Sequence, residues 1–442
     1  MRPPPLHVTL PPGACPPPTN LFPVFAARPG CVFLDSALPS ATARHSVLAC
    51  DPVAVLRGGP DTLAKLRAEL AARARPGVPG LPFSGGAIGY LSYEYGATLD
   101  GVCPNAPADT PDAPALPDLA FGLYDSVVVH DHLTGETHLV APDATGLDAL
   151  RTLVASSTTN PPPPPAFTVG PLRADLTEVA YADAIRRIRD YIAAGDTYQV
   201  NFTHRFTAPF SGSAAALHAR LRALSPAPHA AYLDFGDFQI VSSTPERLLR
   251  VAGRALETRP IKGTIARLAD PAADAVHRAR LLASAKDHAE LLMIVDLARN
   301  DLGRVAAAGS VHVAERHALE TYATVHHLVA TVRAELAPGL DRFDAVRALH
   351  PGGSITGAPK IRAMQIIAEL EPARRDAYTG ALGYFGYDGD ADLAIAIRTI
   401  TCAGGRASYH VGGGITWDSD PAAEYEETRH KGRAMHEALT NT

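Results

Sequence analysis

The chain has 442 residues, 46% of them hydrophobic and 19% charged, with a formal net charge of −6. It is long enough for one large domain or two ordinary ones, and its negative charge disfavours nucleic acid or an anionic membrane as partner. No run of about 18 apolar residues could span a bilayer. The Met1-Arg2-Pro3-Pro4-Pro5 start lacks the apolar core of a secretory signal. The cysteines Cys15, Cys31, Cys50, Cys103 and Cys402 are odd in number and scattered, with neither a disulfide framework nor metal-ligand spacing. A reducing cytoplasm is the expected setting.

Residues 1–160 read as short strands and loops. Cys31–Ser36, Ser46–Ala49, Gly85–Leu91 and Ser126–His130 have strand character, and Leu63, Leu66 and Leu70 recur at helical spacing. Gly85-Gly86 suggests strands packed closely together. Residues 161–169 read as a proline-rich connection, opening with Pro161 to Pro165, stiff and extended. It either joins an N-terminal portion to a second portion at 170–442 or is a loop within one domain.

After it the pattern changes. Val179, Ala182, Ile185, Ile188 and Ile192 predict one apolar helix face ending at Gly195. Strands are expected at Thr197–Phe202 and Phe238–Ser243. In Pro260-Ile261-Lys262-Gly263-Thr264, proline fixes φ and glycine permits a sharp turn, holding the lysine in a tight frame. A helix is expected from Lys286 to Asp301. A glycine-rich loop, His350 to Pro359, feeds another helix. Gly380–Tyr387 and Leu393–Thr401 read as an antiparallel pair joined by Asp388-Gly389-Asp390. Asp420 and Pro421 open a C-terminal helix.

Several of these elements carry candidate chemistry. Asp287 and Glu290, and likewise Glu424 and Glu427, each share one face of a helix. They are either solvated acids in a helical first turn or, if the helices face each other, oxygen ligands for a hydrated Mg²⁺. Lys431 follows Glu427 by one turn, as an ion-pair partner or as a cation aimed at a carboxylate. Arg398 alternates with Ala394 and Ala396, leaving room on that strand face for a ligand. The Gly352 to Lys360 segment lacks the Lys-Ser/Thr of a nucleotide phosphate loop, yet its backbone N–H groups suit a carboxylate.

Glu290–Leu297 with Arg299-Asn300-Asp301, Gly352–Lys360 and Ala423–Thr428, in this order, resemble the chorismate-utilising enzymes: anthranilate, aminodeoxychorismate, isochorismate and salicylate synthases. The resemblance covers residues 170–435 closely and the N-terminal part loosely. Leu291 departs from it, since asparagine usually follows that glutamate. The resemblance implies an α+β fold of two facing antiparallel β-sheets with helices packed outside. Gln199 stands where the water-using members place a base lysine, which points to the ammonia-using branch. Lys262 stands where aminodeoxychorismate-forming members have lysine and anthranilate synthases have alanine.

By the same resemblance, Lys262 is the nucleophile and Glu246 the general acid, with ammonia adding after lysine. Glu290, Glu427, Asp287 and Glu424 hold Mg²⁺. His327, Ser354, Tyr378, Arg398, Gly413, Gly414 and Lys431 contact chorismate. The chain has no G-x-C-x-G elbow, so a separate glutamine amidotransferase is expected to supply ammonia. Leu34 and Ser36 fall in the region where the family carries a tryptophan pocket. Two rivals remain: an anthranilate-forming component, and a silent subunit that only activates an amidotransferase.

Overall fold

A computed structural model of the chain describes residues 2–40, 42–103, 116–157, 166–322 and 325–440. Among these residues are two β-sheets, of thirteen and ten strands, every strand pairing antiparallel, and eleven α-helices. The expected α+β architecture is present. Val32, Val47, Val127, Val129, Val140 and Ile240 of the larger sheet bury themselves against Ile88, Tyr90, Leu382 and Ala394 of the smaller. Their neighbours Phe33, Leu48, Val128, Leu139 and Val241 point the other way, into a layer of helices. This alternation is the period-two signature of a sandwich whose sheets are covered on the outside. No helix is long and apolar enough to cross a membrane among the described residues.

Residues from both halves of the chain share each sheet. Val32–Asp35 pairs with His229–Asp234 in the larger sheet, and Gly86–Leu91 pairs with Ala381–Gly386 in the smaller. A Cβ on Gly86 would stand 2.2 Å from the Phe385 carbonyl oxygen, so the expected close approach of strands is real. Pro161 to Pro165 lie outside the described residues.

Three expectations need correction. The stretch Leu393–Thr401 is not one strand. Ala391–Ile395 belongs to the smaller sheet and Thr399–Ala403 to the larger, so the chain changes sheets between them. Arg398 sits in that crossing at φ +50°, which removes it from the expected strand alternation. Lys262 is likewise not in a turn. Ile261–Ala266 is a strand against Val325–Glu335, and Gly263, at φ +69°, is the extra residue of a bulge between Lys262 and Thr264. In the helix Glu178–Ala193, Tyr181, Ile185 and Ile188 are buried while Val179 is exposed, because the inward stripe begins one turn into the helix.

Candidate active site

Two sheet-to-sheet crossings lie side by side and define the cleft. Phe238–Thr244 of the larger sheet continues through Pro245 and Glu246 into Arg247–Ala252 of the smaller. The Ile395–Thr399 crossing runs beside it. Ser243 N–H donates to the Arg398 carbonyl at 3.1 Å, Ile395 N–H donates to the Glu246 carbonyl at 2.9 Å, and the Thr244 hydroxyl donates to the Ile395 carbonyl. Backbone hydrogen bonding thus fixes Glu246 and Arg398 relative to each other where the two sheets part.

Lys262 enters from the neighbouring strand. Its ammonium lies 3.4 Å from the Ser354 carbonyl, in the Gly353–Ile355 turn of the glycine-rich loop. That loop packs directly on the helix Ala285–Gly303: a Cβ on Gly353 would meet Leu297 Cδ2 at 2.3 Å. Lys360, at the start of the next helix, ties to Asp301 at 2.5 Å. Burial and the nearby Lys431 push the Lys262 pKa down, against the opposing pull of Glu290, Glu246 and Glu427. Glu246 is 4% exposed, and burial raises its pKa. The Ser354 hydroxyl, the Lys262 cation and the Ile261 N–H at 3.3 Å favour its charged form and limit the rise. The cleft therefore holds an amine biased toward neutrality beside a carboxyl biased toward protonation.

His327 is buried next to this pair. Its Nδ1 meets the Thr264 hydroxyl at 2.8 Å, while Nε2 is buried with no partner among the described residues. Burial and Arg398 lower its pKa to about 3, so the ring is neutral. Arg398 is half-buried, with its pKa lowered by desolvation. Tyr378 is placed elsewhere: its ring stacks on His410 at 5.1 Å and lines a cavity of about 20 Å³ with Thr399, Thr401 and Arg406.

The floor of the cleft is the strand Arg406–Ile415, where Gly412, Gly413 and Gly414 pair with Thr203, Phe202 and Asn201. At Gly412 a side chain is excluded for steric reasons, since its Cβ would lie 2.1 Å from the Phe202 carbonyl oxygen. A Cβ on Gly414 would lie 2.9 Å from the Gln199 amide nitrogen, and one on Gly413 would lie 2.9 Å from Glu424 Oε2. Gln199 is fully buried, yet among the described residues neither its amide nitrogen nor its amide oxygen has a partner. A buried amide left unpaired costs about 1–3 kcal/mol, so its polar end is available to a ligand.

The two acidic helices flank this floor. Ala285–Gly303 buries Leu291, Ile294 and Val295. Asp287 and Glu290, one turn before Leu291 and Ile294, share that inward face and are half-buried, with Asp287 against Gly263, whose Cβ would be 3.0 Å from Asp287 Cβ. On Pro421–Thr440, Glu427 pairs with Lys431 at 2.6 Å, and Lys431 also donates to the Gly412 carbonyl at 3.0 Å. Burial raises the Glu424 pKa; on Glu427 burial also pushes upward, but Lys431, Lys286 and Lys262 together lower it. Among the described residues no three histidine, cysteine, aspartate or glutamate side chains form a ready-made metal cage. The donor set is nevertheless all carboxylate oxygen. It fits a hard cation that takes one or two carboxylates and keeps its remaining waters.

A separate cavity of about 430 Å³ opens between the sheets. Leu34, Asp35, Ser36, His229, Arg247 and Tyr384 line it. Arg247 is the residue after Glu246, so the cavity and the cleft are adjacent.

The model of the family described as chorismate binding enzyme matches residues 36–437. The chain belongs to this family. Over 361 residues it is 43% identical to aminodeoxychorismate synthase component 1 of Klebsiella aerogenes, covering 81% of this chain and 78% of that one. Over 430 residues it is 40% identical to anthranilate synthase component 1 of Streptomyces coelicolor, covering 92% of this chain and 83% of the relative. The crystal structure of anthranilate synthase component I from Streptococcus pneumoniae superposes with a TM-score of 0.77 at 32% identity, covering 90% of this chain and 93% of the other. The chain is thus a chorismate-utilising enzyme of the aminodeoxychorismate or anthranilate synthase component I type.

Sequence reasoning named Lys262, Glu246, His327, Ser354, Arg398, Gly413, Gly414 and Lys431, and the structure gathers these around one cleft. It overlooked Thr264, which holds His327, and Ser419, which bonds to Glu424 at 2.6 Å. Neither carries a strong sequence signal: one is a strand threonine, the other a serine between two aspartates just before a helix.

Proposed function

We propose that this chain aminates chorismate at C4, giving 4-amino-4-deoxychorismate for 4-aminobenzoate and folate synthesis. The observation that supports this most directly is the placement of Lys262 and Glu246 together, with Lys262 Nζ 3.4 Å from the Ser354 carbonyl and the adjoining Ile261 N–H donating to Glu246 at 3.3 Å. Burial biases the amine toward neutrality and the carboxyl toward protonation. In this reading the Lys262 amine bonds to C2, the ring double bonds shift, and the C4 hydroxyl leaves as water with the Glu246 proton. Ammonia then bonds to C4, the double bonds shift back, the C2–nitrogen bond to lysine breaks, and Glu246 accepts the surplus proton. Arg398, His327, Ser354, Lys431 and the glycine amides orient the two carboxylates and the ring. Glu290 and Glu427, with Asp287 and Glu424, would hold Mg²⁺, which supplies positive charge for the ring carboxylate.

A separate glutamine amidotransferase would supply the ammonia, in keeping with the component 1 names of the relatives. All five cysteines are free, as a reducing cytoplasm would keep them. The cavity lined by Leu34 and Ser36 would take tryptophan; its size and its mixed apolar and charged wall suit an aromatic amino acid. Calorimetric titration with tryptophan tests this directly.

The purified chain, given chorismate, Mg²⁺ and an ammonium salt, should form 4-amino-4-deoxychorismate, followed by liquid chromatography with mass detection. Fluorescent anthranilate as the main product would favour the second reading, which the 40% identity to an anthranilate synthase component 1 keeps open. Absence of turnover with ammonium, but activation of an added amidotransferase, would indicate the silent subunit.

A further inference from the structure

We infer that Ser419 is a positioning residue for the divalent cation, holding the Glu424 carboxylate in the rotamer that aims one oxygen at the cleft floor. This rests on the reading above that the two acidic helices bind Mg²⁺.

The strand Arg406–Ile415 ends in the turn Thr416-Trp417-Asp418-Ser419, which leads into the helix Pro421–Thr440. Ser419 N–H donates to the Thr416 carbonyl at 3.2 Å and closes the turn. Thr416 N–H donates in return to Ser419 Oγ at 3.0 Å, and Oγ donates to Glu424 Oε1 at 2.6 Å. Ser419 is only 6% exposed, so water does not compete for these bonds. The hydroxyl accepts from the backbone amide and has one proton to give, which goes to the carboxylate.

With Oε1 occupied in this way, Oε2 is left facing the glycine floor. A Cβ at Gly413 would stand 2.9 Å from Glu424 Oε2, 3.7 Å from Lys431 Nζ and 4.0 Å from Glu427 Oε1. Three charged groups of the helix thus converge on one backbone position. Without the serine proton, the Glu424 side chain is free to swing toward solvent. Residues that orient a ligand carboxylate in this way typically contribute 10–100-fold in metal affinity.

The test measures Mn²⁺ binding to the metal-free full chain by electron paramagnetic resonance, with Mg²⁺ competition and melting curves alongside. Ser419→Ala should weaken Mn²⁺ binding about tenfold with its melting transition retained. Ser419→Thr keeps the hydroxyl and should bind within about twofold of wild type, and it decides the matter if the alanine variant fails to fold. In a Glu424→Gln background, Ser419→Ala should cause no further loss, since the two residues act as one unit. Wild-type affinity in Ser419→Ala, or a further loss in the Glu424→Gln background, would overturn the inference alone. A wild-type chain that binds no Mn²⁺ would overturn the metal reading together with it.

Discussion

Lys262 and Glu246 depend on opposite protonation states, and that sets the pH behaviour of the proposed reaction. Lys262 must be neutral to attack; its pKa is below the ordinary lysine value, so activity rises with pH as the neutral fraction grows. Glu246 must be protonated to help the hydroxyl leave; its pKa is above the ordinary carboxylate value, and activity falls once pH exceeds it. The expected kcat/KM profile is a bell, and Glu246→Gln should remove the limb that Glu246 governs while lowering kcat about 10²–10⁴-fold. Lys262→Ala should abolish aminodeoxychorismate formation with its melting transition unchanged, since the lysine is half-buried and anchors no core. Retained turnover in that variant would rule out the covalent step.

At the scale of elements, the bulge in Ile261–Ala266 sets where the lysine points. Gly263 is at φ +69° and in near contact with Asp287. Gly263→Val would need a strained backbone and would push the helix Ala285–Gly303 away. A loss of about 1–3 kcal/mol is expected, read by urea denaturation, together with weaker Mn²⁺ binding. The sequence displayed the proline, lysine and glycine of this stretch but not their geometry. A bulge is defined by the partner strand, and Val325–Glu335 cannot be paired with it by pattern alone. Arg398 illustrates the same limit. Period-two alternation from Leu393 onward is satisfied equally by one long strand and by a strand that breaks and changes sheets. The acid pairs were legible as faces of helices because i,i+3 spacing is local. That those faces flank a common floor was implied only by resemblance.

At the scale of the molecule, one buried cation ties distant parts together. Arg375 is 1% exposed on its side chain and pairs with Glu371 at 2.6 Å; it also donates to the carbonyls of Asn201, at 2.6 Å, and Ile355, at 2.9 Å. Glu94, from the N-terminal half, accepts the Arg375 and Asp376 N–H groups at 2.8 and 3.0 Å. Arg375→Met would strand a buried Glu371 carboxylate, at a cost of about 3–5 kcal/mol. The paired change with Glu371→Gln should recover part of it, measured by thermal melting. None of this was read from the sequence: Glu371 and Arg375 look like an ordinary i,i+4 pair, and only the sheets closing over them make them interior.

The sharing of both sheets by early and late strands also has a consequence in time. A nascent chain emerges from its N-terminus, and Leu91 cannot meet Ala381 until nearly all of the protein has been made. Val32–Asp35 waits similarly for His229–Asp234. The first half must therefore travel with unfinished strand edges, a state prone to association, and closure is a slow step because its contacts are so non-local. In refolding followed by pulsed hydrogen exchange, the amides of Gly86–Leu91 should gain protection together with those of Ala381–Gly386. Early protection of the first strand alone would show that the N-terminal segment folds by itself.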